Sequence, residues 1–403
     1  MSLIARPHRG LFLGLFGVFA VFGTSMTIVG AALPKILGDF GWSYASAGAV
    51  IAAGAAAYTL SSLLSSRVLR RIGPKATVAS GLALCVAGLA FFAATPSFAL
   101  NFLLNALVGA GQGLIEPTVN WSTIRMDEDA SGRPMNLMHG AFAVGAVAGP
   151  VLLGAILASG LAWTILFRAI AAVFAVLCIA LAAMRFDRLG TVDGPKPTKG
   201  GKASAKGAAY WLGFVCLLLY VGAEMGISNW IAEYLVRIFA ADPATASLAV
   251  SLFWVGLLAG RFGVPALYRG KHPERVLVAS SLLLLASTAA LCALGYLTKA
   301  GAASSAALWA PGAATFLAGL GCSIVYPTVV SLVGIACEGG QSEAVSFAIS
   351  GGGVGLFAFP FLMSALAQAF GIRAGFASYA VIAAFTAAAC ACLARSFARS
   401  RRA

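Results

Sequence analysis

Leu107-Val-Gly-Ala-Gly-Gln-Gly-Leu-Ile-Glu-Pro-Thr-Val119 and Leu317-Ala-Gly-Leu-Gly-Cys-Ser-Ile-Val-Tyr-Pro-Thr-Val329 stand 210 residues apart and share the leucine, both glycines, the proline, the threonine and the final valine. At the same offset Val144-Gly145 falls on Val354-Gly355, Pro150 on Pro360 and Leu152 on Leu362. At an offset of 199, Gly23, Met26 and Ile28 fall on Gly222, Met225 and Ile227. The chain is therefore two copies of one unit.

What kind of unit follows from composition. Of 403 residues, 60% are hydrophobic and only 10% charged, against roughly 25% charged in a soluble domain. A bilayer-crossing helix needs about 20 mostly apolar residues. Such stretches fall at 11–37, 44–66, 74–96, 99–124, 134–159, 161–184, 208–237, 244–269, 273–297, 306–333, 343–370 and 372–394. A membrane barrel is excluded, because runs such as Leu282 to Ala293 do not alternate. The fold predicted is an all-α membrane protein of twelve spans in two six-helix bundles.

The only long polar interruption, Arg185 to Lys206, is rich in Gly, Pro, Lys and Ser and cannot bury a core. It predicts a bundle over 1–184, a cytoplasmic linker over 185–207 and a second bundle over 208–403. The net charge of +14 reports topology and excludes a nucleic-acid partner. With the N-terminus inside, the cytoplasmic segments hold Arg67, Arg70, Arg71, Lys75, Arg185, Arg188, Lys196, Lys199, Lys202, Lys206, Arg269, Lys271 and the C-terminal arginines. The outer ends hold Lys35, Arg237, Lys299 and Arg373, and Arg168 and Arg261 lie inside spans. Both termini are then cytoplasmic in a cell inner (plasma) membrane. The charged first residues run into a span with no credible cleavage site, which is read as a retained helix. The eight cysteines show no ligand spacing and are read as small core residues.

An even number of spans per copy makes the two copies parallel, related by an axis along the membrane normal. That is the plan of a rocking transporter whose substrate site lies near the midplane between the halves. Polar groups at that depth are expensive and mostly functional.

Glu116 is the sharpest such signal. It lies mid-span, where a carboxylate costs about 2.5–3.5 kcal/mol, and Asn120, four residues on, shares its helix face. It is read as a proton carrier beside a hydrogen-bonding amide, followed by Trp121. Its repeat partner is Tyr326, so the acid belongs to one half only. Glu224, in Tyr220-Val-Gly-Ala-Glu224-Met-Gly-Ile-Ser-Asn229-Trp230, is a second proton-coupling candidate. Asn229 and Trp230 are types that hold a sugar by amide and ring, although Trp230 also suits an interfacial aromatic belt. Glu233 and Arg237 read as an i,i+4 pair near the outer surface. Arg261 in span eight is either a substrate contact or a structural cation, whereas Arg168 in span six reads as structural. His139, near Asn136, could relay protons, and a packed histidine is the commoner outcome. Gly351-Gly-Gly353 allows close helix approach and carries no chemistry. No phosphate-binding, nucleophile, metal or dinucleotide motif rises above chance, so an ATP-driven pump is not expected, nor an enzyme, nor a cofactor.

Gly109-x-Gly111 to Glu116 with Asn120, Asn136-Leu137, Tyr220-Val-Gly-Ala223, Gly260-Arg-Phe262, Tyr326-Pro-Thr328 with Ser331-Leu332, and Gly351-Gly-Gly353 together resemble the major facilitator superfamily, and within it the fucose/galactose/hexuronate-proton symporter group. The resemblance covers nearly the whole chain. It implies that the span-four acid, here Glu116, handles substrate and protons. It also implies an acid four residues before the proline that looks equivalent to Pro34, where this chain has Gly30. The superfamily's Gly-x-x-x-Asp-Arg-x-Gly-Arg-Lys loop reads Ser66-x-x-x-Arg70-Arg71-Ile-Gly73-Pro74-Lys75 here, with Arg70 in place of its Asp.

The function predicted is secondary transport of a sugar or similar small polar metabolite by alternating access, coupled to protons through Glu116 or Glu224. Asn120, Trp121, His139, Asn229, Trp230, Tyr326 and Arg261 are the substrate-binding candidates, and the carrier is expected to act as a monomer. A drug or lipid exporter, a facilitative uniporter and a non-transporting receptor or scaffold are the alternatives.

Overall fold

The computed structural model describes residues 4, 6–127, 133–190, 207–268, 272–298, 308–337 and 341–400. The linker expected over 185–207 lies, for 191–206, outside the described residues. Eleven helices are long and apolar enough to cross a membrane. One of them, Tyr44–Phe91, is 48 residues long and breaks at Gly73, which has φ 77 and ψ 167, so it supplies spans two and three. The others are span one (Arg9–Phe40), span four (Phe98–Met126), span five (Arg133–Ala158), span six (Thr164–Ala182) and span seven (Ala208–Phe239). Then come span eight (Pro243–Leu267), span nine (Pro273–Leu297), span ten (Trp309–Cys322 continued by Val325–Ala336), span eleven (Gln341–Phe370) and span twelve (Ile372–Ser400). The twelve expected spans are all present, and no strand occurs among the described residues. Helices result because lipid offers no water to the backbone, so each segment must satisfy its own peptide groups.

The chain divides into two compact units, Met1–Ala32 with Ala49–Pro197 and Leu33–Gly48 with Thr198–Ala403. Within each, the sequence repeat reappears as a pair of close helix crossings. In the first unit span five meets span one at Gly145, where a Cβ would come within 1.7 Å of the Ala20 carbonyl oxygen. In the second, span eleven meets span seven at Gly355, where a Cβ would come within 2.0 Å of the Leu218 oxygen. Association in lipid relies on van der Waals contact between backbones rather than on hydrophobic exclusion. These glycines set how near the helices come.

Helix ends repeat as well. The C-terminal end of span three is capped by Arg168, whose Nη1 donates to the carbonyls of Leu89 (2.9 Å) and Phe92 (2.6 Å). Arg373, at the start of span twelve, donates from Nη2 to the Thr298 carbonyl at the end of span nine (2.6 Å). Each guanidinium answers carbonyls that a helix C-terminus leaves open and sits at the negative end of the helix dipole. Arg168 is thereby a structural residue.

Gly355→Val should abolish the span seven–eleven crossing. Loss of a monodisperse peak in detergent size-exclusion chromatography is expected, whereas Gly10→Val, at a glycine with open space beside it, should leave the profile unchanged.

Candidate functional site

Polar side chains inside the first unit converge on span four. Glu116 and Asn120 lie on one of its faces, both half-buried. From span two, the Tyr58 hydroxyl donates a hydrogen bond to Glu116 Oε2. No lysine or arginine acts on that carboxyl among the described residues. The Asn120 Oδ1 is buried and has no protein partner among the described residues, an acceptor able to receive a hydroxyl from a bound molecule. One turn earlier, Gln112 Nε2 donates to Ser25 Oγ of span one at 2.9 Å, with both residues buried.

Two other candidates of this unit sit apart from that convergence. Trp121 carries the Arg125 guanidinium 5.3 Å from its ring centroid, so its face is occupied by a cation–π contact. His139 stands edge-on to Phe19 with centroids 5.6 Å apart. That is the packed arrangement, beside an exposed Asn136.

The second unit builds a different cluster at the matching place. Glu224 on span seven is buried, and the Arg261 guanidinium of span eight lies within electrostatic reach of its carboxyl. Arg261 is held by a break in span ten. Pro327 has no N–H to give the Ser323 carbonyl four residues before it, the helix interrupts between Cys322 and Val325, and Arg261 Nε donates to the Ser323 oxygen at 3.3 Å. The even choice between substrate contact and structural cation thus acquires a structural side. Tyr326 lies at the start of the second segment of span ten, half-buried. The repeat offsets superpose Ser25 on Glu224 and Gln112 on Cys322, so a neutral amide–hydroxyl pair in one half stands where an acid and a thiol stand in the other.

Further along span seven, Asn229 is buried and Trp230 is 0% exposed. Trp230 is therefore no interfacial belt residue. The Tyr44 ring lies T-shaped against it at 5.9 Å. The Tyr44 hydroxyl donates to Glu233 Oε1 (3.2 Å), which also accepts from Arg237 Nε (2.7 Å). The i,i+4 pair read from sequence is present, but Glu233 is fully buried and serves chiefly to hold the 33–48 hairpin. Close by, a Cβ on Gly48 would fall 1.9 Å from Ser364 Oγ.

The sequence profile of the Major Facilitator Superfamily matches residues 15–334. The chain belongs to the Major Facilitator Superfamily. This superfamily member is a multi-pass membrane transporter and not an enzyme. It is similar to a protein named glucose/galactose transporter of Brucella abortus biovar 1 (strain 9-941), 27% identical over 345 residues that cover 79% of this chain and 78% of the relative. It is also similar to "Bypass of stop codon protein 6" of Saccharomyces cerevisiae, 24% identical over 273 residues, 60% of this chain and 54% of that one. The chain thus spans about half the length of the yeast relative. Among solved structures, the nucleoside transporter NupG superposes with a TM-score of 0.75 at 14% identity, covering 97% of this chain and 98% of the other. An inward-facing, unoccupied bacterial homolog of the human lysosomal transporter Spinster gives 0.72 at 15% identity, with 98% of each chain covered. At such identities the likeness establishes the fold.

Removing the Tyr44 hydroxyl in a Tyr44→Phe transporter deletes a hydrogen bond to a buried carboxylate, a loss of about 1.5–3 kcal/mol. A lower thermal midpoint in detergent is expected. Glu233→Ala should lower it further, since Arg237 can then hydrate whereas Tyr44 and the cavity left behind cannot be compensated.

Proposed function

We propose that this transporter carries a sugar or a similarly small polar metabolite across the inner membrane by alternating access, with both termini cytoplasmic, and that it couples this movement to protons through Glu116. The organisation proposed is a bundle over 1–184, a linker over 185–207 and a bundle over 208–403. The observation that carries the reading is the Tyr58–Glu116 hydrogen bond beside the unpartnered oxygen of Asn120. Charged, the carboxyl accepts from Tyr58. Neutral, it gains an O–H that can be donated to a substrate hydroxyl, while Asn120 Oδ1 accepts from a neighbouring hydroxyl. Substrate and proton would then favour one another's binding. The resemblance of 27% over most of both chains to a protein named for glucose and galactose supports the substrate class.

Glu224 has a different role in this reading. The Arg261 guanidinium lies within electrostatic reach of its carboxyl, and Glu224 is proposed to lend shape and polarity to the second half. Asn229, Trp230 and Tyr326 are proposed to line the substrate path of that half, and Trp230 would do so once Tyr44 moves off its ring. A facilitative uniporter is the second reading. Gly30, buried in span one, stands where the resembled symporters carry a second acid.

The two readings separate in proteoliposomes. Glu116→Gln, which keeps the hydrogen-bonding shape and removes the titratable proton, should abolish proton-driven accumulation of labelled sugar while counterflow exchange persists. Unchanged accumulation refutes the assignment to Glu116, and no gradient-driven accumulation even in the unmodified protein selects the uniporter.

A further inference from the structure

Span six ends at Ala182, and the chain does not leave the first unit there. Phe186 and Leu189 are buried, a 3-10 turn runs over Asp187–Leu189, and Met184 packs so closely on span one that a Cβ at Gly14 would lie 2.9 Å from its sulfur. Opposite this fold-back lies the turn between spans two and three, made sharp by Gly73 in the left-handed region. Between the two segments is a cleft of about 410 Å³.

Its walls are of two kinds. Ile72, Pro74 and Met184 make an apolar side, while Lys75 and Arg185 supply cations and Asp187 one carboxylate. Lys75, Arg185 and Asp187 are exposed. The approach is cationic as well, since Arg67, Arg70 and Arg71 precede the turn and no acid occurs in the sequence between Asp39 and Glu116. The cleft flanks the ends of spans two and six, where long apolar helices give way to charged residues, and helix ends of that kind are where a span meets lipid headgroups. An apolar wall beside paired cations at that depth matches the glycerol backbone and phosphate of a phospholipid. A free anion would gain nothing from the apolar side.

We propose that this cleft binds the headgroup of an anionic membrane phospholipid, with Lys75 and Arg185 on the phosphate and Asp187 accepting from a headgroup hydroxyl such as that of phosphatidylglycerol. Basic pockets between membrane helices are a recurring solution for anionic headgroups. The site is independent of the transport reading, because none of its residues belongs to the Glu116 or Glu224 clusters.

The test uses the full chain in nanodiscs of phosphatidylcholine with or without phosphatidylglycerol, released for native mass spectrometry and followed in parallel by thermal unfolding. The unmodified protein should retain phosphatidylglycerol over phosphatidylcholine by a factor on the order of thirty, from two cations each worth about fivefold near a membrane surface. It should also show a raised thermal midpoint in the anionic lipid. Lys75→Gln with Arg185→Gln should bring the retention ratio close to one, and Lys75→Arg with Arg185→Lys should preserve it. Should the double glutamine variant not fold, each single variant is read for the same fall in ratio. Retention unchanged in the glutamine variants overturns the proposal. So does inorganic phosphate that displaces the lipid or reproduces the midpoint shift in phosphatidylcholine alone, since that marks a site for a free anion.

Discussion

A backbone carbonyl inside the hydrocarbon that loses its helical partner has no water to turn to, and this constraint ties the fold to the polar clusters. Pro327 removes the donor that Ser323 would have used, span ten parts at that point, and Arg261 fills the gap. A guanidinium drawn in for a structural reason brings a full charge with it. Glu224 then acts opposite that charge. The buried acid of the second half is thus coupled to the helix break. In the first half Pro117 leaves span four a continuous helix over Phe98–Met126, no lysine or arginine acts on Glu116 among the described residues, and Glu116 has a tyrosine hydroxyl instead. Two acids that look alike in a hydropathy profile are different chemical objects.

The same contrast explains how a duplicated frame acquires unequal halves. Crossing glycines such as Gly145 and Gly355 are retained because a side chain at either would meet backbone oxygen within 2.0 Å or less. Side chains that do not touch the crossing are under no such restriction. Ser25 and Gln112 in one copy become Glu224 and Cys322 in the other, and Glu116 becomes Tyr326. Packing conserves the geometry of the repeat, while polarity is redistributed between the copies.

Much of this was legible in the linear chain, because the constraints that set it are local. Span length, the charge bias and the glycine register each follow from a few neighbouring residues. The break at Gly73 also was, as a Gly-Pro pair after a run of arginines. What could not be read was pairing across distance. Tyr58 is one hydroxyl in an Ala-rich run and nothing near it announces Glu116. Tyr44 meets Glu233 across 189 residues. Trp230 carried the residue type of a sugar platform or an interfacial anchor, and only tertiary packing shows that it is covered on every face. Trp121 and His139 were marked by type alone, and a neighbouring Arg125 and Phe19 use their rings.

The way Tyr44 covers span seven has an energetic consequence. Its hydroxyl and Arg237 satisfy Glu233 Oε1, yet Glu233 Oε2 and Trp230 Nε1 stay buried without partners among the described residues. Each stranded polar atom costs about 1–3 kcal/mol, which offsets a good part of what the carboxylate hydrogen bonds and the ring contact contribute. The 33–48 hairpin is therefore held in a defined position by a net attraction smaller than its contacts suggest. A fully satisfied interface at the same place would be rigid. The unpaired indole and carboxylate oxygen account for that difference.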